Sequence, residues 1–261
     1  MAQVTTRLTN KDIVNIAKQQ YEESQRKTLP SEIVNLPSLG LIYPSSSPLR
    51  SGQIEMRYMT AYDEDILTNS SYIKEGIVLD KLLDSLIVTP GITISDVAQV
   101  DKDALLIQAR ILSYGADYPV LVIDPTTKKE LNRTINLTKI KYKKFDLQSD
   151  ENGEFSYRLN ILNETHEIKF AFLSIDQIKK ISDNTAISDL LKQMIREVDG
   201  SREPNIIESF IRYKFLAKPA KEFRTFVYAN MPGIDLQYEF EGEDGGTFTA
   251  GFQLGPDLFW F

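Results

Sequence analysis

The sequence predicts an α+β fold: an N-terminal helical unit with a strand, a hairpin-rich middle, and C-terminal helices closed by a terminal β-hairpin. Three observations carry this expectation. Ile77, Val78, Leu82, Leu83, Leu86 and Ile87 repeat at helical spacing before Pro90-Gly91, and Leu105, Leu106, Ala109 and Leu112 do so before Gly115. From Tyr118 the apolar period falls to two, the period of a strand with one face buried. The stretch from Ile234 to Phe261 is Gly-rich and aromatic around the turn Glu241–Gly246.

Taken in order, residues 1–28 form a polar, helix-leaning arm. Its short stripe of Ile13, Val14, Ile16 and Ala17 is too small to order it alone, so a mobile or partner-bound arm is expected. Residues 29–117 hold the helical unit. Pro37 and Pro44 disfavour helix before them and Gly40 permits a positive φ, which predicts a rigid, extended lead-in that turns before a strand. Ser45–Pro48 is then a surface loop, and Ile54, Met56 and Tyr58 alternate with Glu55 and Arg57 as a half-buried strand. Thr60 caps the next helix, with Asp63 and Glu64 in the turn where the helix dipole favours negative charge. The helices at 77–87 and 101–115 follow.

Residues 118–175 predict two hairpins. Val120 and Val122 face Ile135, Leu137, Ile140 and Tyr142 across Asp124-Pro125-Thr126-Thr127, and Phe155, Tyr157 and Leu159 face Ile168, Phe170 and Phe172. Ser174-Ile175-Asp176-Gln177 repeats the strand-then-cap order of Met56–Glu64, a weak internal duplication. Residues 176–261 return to helix. Ile187, Leu190, Leu191, Met194, Ile195 and Val198 make one stripe ended by Asp199-Gly200. Pro204 opens a helix with Ile206, Ile207, Phe210 and Ile211, and Pro219 opens another with Phe223, Phe226 and Val227.

Composition narrows the function classes. With 42% hydrophobic and 26% charged residues the chain is neither disordered nor a membrane protein, and Met1–Tyr21 has no signal-peptide core. A cytoplasmic protein is expected. The net charge of -7 opposes nucleic-acid binding, and Lys139-Ile140-Lys141-Tyr142-Lys143-Lys144 fits a strand with one basic, solvated face. The absence of Cys excludes disulfides, thiolate–zinc sites and thiol nucleophiles. A single histidine, His166, sits in a turn leading into a strand, where a solvated side chain is expected, and no G-x-S-x-G elbow partners it.

Two acidic groups invite chemistry. Glu239, Glu241, Glu243 and Asp244 resemble a calcium loop in composition but lack the spacing of an EF-hand. Asp63-Glu64-Asp65 pose as paired carboxylates, yet their place at a helix start explains them. No catalytic residue, metal, cofactor or small-molecule substrate is assigned. The consecutive aromatics Phe259, Trp260 and Phe261 either tuck into the core or dock on a partner.

One pattern is specific. Leu36-Pro37-Ser38-Leu39-Gly40-Leu41-Ile42-Tyr43-Pro44 is followed by Met59-Thr60-Ala61-Tyr62-Asp63-Glu64-Asp65-Ile66-Leu67-Thr68-Asn69. Together they resemble the opening of the baseplate hub and hub-assembly proteins of T-even-type contractile-tailed phages. The likeness continues through Gly76-x-x-Leu79-Asp80, the helix Leu105–Gly115, Met231-Pro232-Gly233-Ile234-Asp235 and the aromatic end. It implies a non-enzymatic protein that binds other hub proteins and the tape-measure protein. On that resemblance the protein is expected to act in the infected host's cytoplasm as an assembly factor or to stay in the virion as a permanent subunit. Leu36, Pro37, Ser38, Gly40, Tyr43, Phe259, Trp260 and Phe261 are the candidate partner-binding residues. The resemblance also implies two hairpins that members of the family often carry as C-P-x-C and C-x-x-C-G, together like a zinc ribbon. Here those turns fall on Asp124–Thr127 and Glu241–Gly245 with every thiolate gone, so packing must hold them together.

Overall fold

The computed structural model describes residues 28–173, 186–242, 245–252 and 254–259. The arm at 1–27, the cap Ser174–Gln177 with the duplication it would complete, the turn residues Glu243 and Asp244, and Trp260 and Phe261 lie outside the described residues. The fold is α+β, with helices packed on several small antiparallel sheets.

Strands β1 (Ser31–Asn35) and β2 (Gln53–Arg57) pair antiparallel, Ser31 opposite Arg57 and Asn35 opposite Gln53. Helices α1 (Ala61–Leu67), α2 (Ser70–Glu75), α3 (Val78–Leu86) and α4 (Gln99–Tyr114) follow. The run after Thr60 is two helices, not one. Asn69 breaks it, because its side chain accepts from the amides of Ser71 and Tyr72 and so starts a new helix. Gly76 and Gly115 end α2 and α4.

α4 stands between two cores. Leu105, Leu106 and Ala109 face the large one, with Leu36, Met56, Leu82, Leu86, Phe170 and Phe223. Ala104 and Ile107 face the small one, with Val122, Leu131, Ile135 and Phe240. Burying one helix on two sides ties the N-terminal unit to the hairpins in a single body.

The first hairpin is β3 (Asp117–Ile123) with β4 (Glu130–Asn136). The basic run beyond it is not one strand. A 3-10 turn takes Leu137–Lys139, and only β5 (Lys141–Tyr142) is extended, paired with β9 (Ile234–Asp235). The Asn136 side chain makes the difference, accepting from Thr138 N and bending the chain away from β3.

The second hairpin, β6 (Phe155–Ile161) with β7 (Glu164–Phe170), gains a third strand, β8 (Ile195–Val198). This corrects the expected helix through Val198: α5 (Ile187–Met194) stops at Met194. Ile195 and Val198 are three apart, as on a helix face. A register shift at Lys169–Phe170 lets both turn inward from a strand instead. The open edge of β7 needed a partner, and β-branched residues supply one.

Helices α6 (Pro204–Tyr213) and α7 (Ala217–Ala229) close over this sheet, and α7 begins two residues before Pro219. Phe170 meets Phe223 edge-on at 5.4 Å, and Phe155 meets Phe172 at 5.3 Å. The terminal hairpin, β10 (Gln237–Glu241) with β11 (Thr247–Gly251), pairs Phe240 with Phe248. Among the described residues, no helix is long and apolar enough to cross a membrane.

Candidate interaction surfaces

The lead-in segment is folded rather than extended. Leu39 N bonds Leu36 O, Leu41 N bonds Ser38 O and Tyr43 N bonds Gly40 O, so Leu36–Tyr43 is a chain of turns inserted between β1 and β2. Gly40 permits it. At φ 77°, a Cβ there would stand 2.5 Å from Arg50 O and 2.6 Å from Gly52 N. Leu36, Pro37, Ser38, Gly40 and Tyr43 all point inward, while Leu39 is left outside at φ 54° and 56% exposed.

What the turns enclose is Asp101, three residues into α4 and fully buried. Its carboxylate accepts from Ser38 N at 2.9 Å, Ser38 Oγ at 2.7 Å and Tyr43 Oη at 2.6 Å. Tyr43 Oη in turn accepts from Ala98 N at 3.1 Å. Burial pushes the Asp101 carboxyl up, and the bonds from Tyr43 and Ser38 offset this only in part. Tyr43 is also held well above the usual phenol range, by burial first and by Asp101 second. Sequence reasoning placed Asp101 at a helix start but missed that the Pro/Gly segment wraps it. The available signal was a Ser and a Tyr, each able to donate a proton, inside an otherwise apolar motif.

A second carboxylate, Asp63, is also fully buried. Asp63 receives both terminal nitrogens of Arg57 at 2.7 Å, Ser85 Oγ at 2.6 Å and Thr60 N at 2.8 Å. Burial raises its pKa, but the bonds from Arg57, Ser85 and Thr60 prevail and bring it down to about 2. This is the carboxylate weighed for acid–base work. It is sealed from solvent and spent on tying β2 to α1 and α3. Glu64 accepts from Tyr114 Oη at 2.8 Å.

His166 is not solvated. It is buried on β7, with Nδ1 2.7 Å from Asp199 Oδ2 and its ring edge-on to Phe210 at 5.1 Å. Asp199 occupies φ 50° in the turn leaving β8, and its backbone amide bonds Glu167 O at 2.8 Å. The histidine therefore pins a strained turn to the neighbouring strand.

The first and the terminal hairpin are held together by packing. Val122, Leu131 and Phe240 share the small core, and Arg133 Nη2 donates to Glu241 O at 2.9 Å. Outside them lies apolar surface. On β3 the side chains of Leu121 and Ile123 are about 60% exposed, and an apolar hollow of about 300 Å³ is lined by Val100, Phe172, Leu190, Met194, Val227 and Met231. At the C-terminus Leu258 and Phe259 are buried in the large core.

The described residues hold no group of three or more His, Cys, Asp or Glu side chains placed to ligate a metal. The arrangement is one of internal locks and exposed apolar faces. No curated protein and no solved structure matches the chain. Residues 42–215, from inside the Leu36–Tyr43 turns to just past the sheet-covering helix α6, match the sequence model of the family described as T4 bacteriophage base plate protein. The chain therefore belongs to the T4-type bacteriophage base plate protein family.

Proposed function

We propose that this baseplate protein serves the hub, binding other hub proteins and the tape-measure protein during tail assembly, by contact energy and without catalysis. The observation that supports the reading is the fate of the Leu36–Tyr43 segment. The motif that resembles hub proteins is built into the fold as a lock on α4, which supports a scaffold held in common with them. Leu36, Pro37, Ser38, Gly40 and Tyr43 then act on a partner indirectly, by holding Leu39 outward. Trp260 and Phe261 are proposed as docking groups beyond the buried Phe259. Assembly takes place in the cytoplasm of the infected bacterium.

The second reading within the family is a permanent subunit of the virion rather than a transient assembly factor. Affinity isolation from infected cells tests the hub role: hub and tape-measure proteins are expected with the tagged chain, and recovery with peripheral baseplate proteins alone would overturn it. Mass spectrometry of purified mature particles then separates a subunit, present at fixed stoichiometry, from a factor that has left.

A further inference from the structure

Strand β1 presents backbone groups that no described residue fills. Leu36 N donates to Gly52 O at 2.8 Å and Tyr58 N to Pro30 O at 2.9 Å, so the even-numbered residues of β1 are those bonded to β2. Ser31, Ile33 and Asn35 therefore turn their amides and carbonyls to the opposite side. The far edge of β2 is closed, because Glu55 N donates to Thr89 Oγ1 at 2.7 Å and Glu55 O accepts from Val88 N at 3.0 Å. On β1, Tyr142 Oη closes Asn35 O alone, at 2.9 Å. Ser31 and Ile33 have no backbone partner on that side among the described residues.

An open row of this kind is a template for another strand, and folded proteins guard it with Pro, Lys or a bulge. β3 is guarded. Leu137 N bonds Ala116 O, which turns the odd-numbered residues of β3 outward, so the missing N–H of Pro119 falls on its free edge. β1, reading Ser-Glu-Ile-Val-Asn, has no Pro, Lys or bulge, its one charge at Glu32 is taken up by Tyr58 Oη at 2.6 Å, and its central Ile33 is 65% exposed.

We propose that β1 is a strand-addition site, taken by an extended segment of a neighbouring baseplate protein. Backbone bonds to Ser31 and Ile33 would give affinity, and a side chain packed beside Ile33 would give selectivity. The occupant is a segment and not a second folded copy. Five residues offer an edge of roughly 17 Å, too short for the roughly 1,200–2,000 Å² of a stable dimer, and two chains of charge -7 repel. A segment running on past Asn35 meets a groove of about 470 Å³ lined by Asn35, Ile107, Ile111, Leu137, Ile140 and Tyr142. The inference rests on baseplate membership and not on a place in the hub.

Hydrogen exchange on the full-length protein, free and in baseplates isolated from infected cells, tests it. The amides of Ser31 and Ile33 are expected to exchange freely in the isolated protein and at least about tenfold more slowly in the baseplate. Those of Glu32 and Val34, bonded to β2, serve as the reference. Unchanged exchange on assembly overturns the proposal. So does protection already present in the free protein, whether independent of concentration, meaning the chain covers itself, or dependent on it, meaning a second copy does.

Ile33→Pro removes an outward donor and the outward side chain, whereas Val34→Pro removes a ladder bond. The first is expected to melt near the parent and to enter baseplates poorly. Normal incorporation of Ile33→Pro overturns the proposal, and if that variant fails to fold the exchange measurement decides. A chain found at the baseplate periphery would end the hub reading and leave this test intact.

Discussion

Tyr43 donates its phenolic proton to Asp101 at 2.6 Å, joining two residues 58 positions apart in sequence. That single contact explains why the Pro/Gly segment is needed at all. A buried carboxylate with no cation in contact among the described residues has to be satisfied by neutral donors, and only a chain folded back on itself can deliver Ser38 N, Ser38 Oγ and Tyr43 Oη together.

Removing one donor should therefore cost more than an average hydrogen bond. Tyr43→Phe is expected to lower stability by about 1–3 kcal/mol, because it leaves Asp101 under-satisfied and Ala98 N without its acceptor. Urea denaturation of the pair of proteins checks this, and equal midpoints would show the lock to be inert.

Gly40 and Gly76 offer an internal contrast. Both have positive φ, but a Cβ at Gly76 meets nothing within 4 Å, while one at Gly40 runs into the backbone of Arg50, Gly52 and Leu49. Gly76→Ala should cost about 1–2 kcal/mol from conformation alone. Gly40→Ala should exceed about 4 kcal/mol, enough to prevent folding at moderate temperature. Thermal melts that rank the two equally would refute the close approach.

The two buried carboxylates respond to pH in opposite senses. Asp63 is depressed to about 2, so its contribution of about 2 kcal/mol is present above the unfolded value and lost as pH falls toward 2. Asp101 is raised, so its contribution is complete at low pH and lost as pH rises through its folded value. Asp63→Asn should remove the acid-side loss at a cost of about 3–5 kcal/mol, since it leaves the Arg57 guanidinium buried without its counter-charge. Denaturation series from pH 2 to 6 on both proteins would settle the assignment.

The paired hairpins should need no metal. Chelator-washed protein is expected to melt at the temperature of untreated protein. Phe240→Ala, which empties the small core between them, should cost about 3–5 kcal/mol. Stoichiometric zinc surviving the wash would contradict this.

Substitutions at the C-terminus test core packing and the proposed docking apart. Phe259→Ala is expected to destabilise by about 3–5 kcal/mol because that ring is buried. Deleting Trp260 and Phe261 should leave the melt nearly unchanged and weaken co-purification with hub proteins. A deletion that melts like Phe259→Ala would assign those two residues to the core instead.

Much of the architecture was determined by the sequence alone. The apolar stripe of α3, the capped start at Thr60, Pro204 at the head of α6 and the alternation in both middle hairpins each follow from local periodicity and capping, which depend on neighbours a few residues away. The motif at Leu36–Tyr43 was visible too, as was its resemblance to baseplate proteins. Its shape was not, because two prolines and a glycine fit an extended lead-in as well as a chain of turns. Asp101, far along the chain, decided between them. The same holds for Ile195 and Val198, whose spacing suits a helix face until the unpaired edge of β7 and a register shift make them a strand. His166 looked solvated until Asp199 and Phe210 arrived from other elements to bury it. In each case the deciding partner lies tens of residues away. Hydrogen bonds and burial across such distances are written in the tertiary structure and leave no period in the sequence.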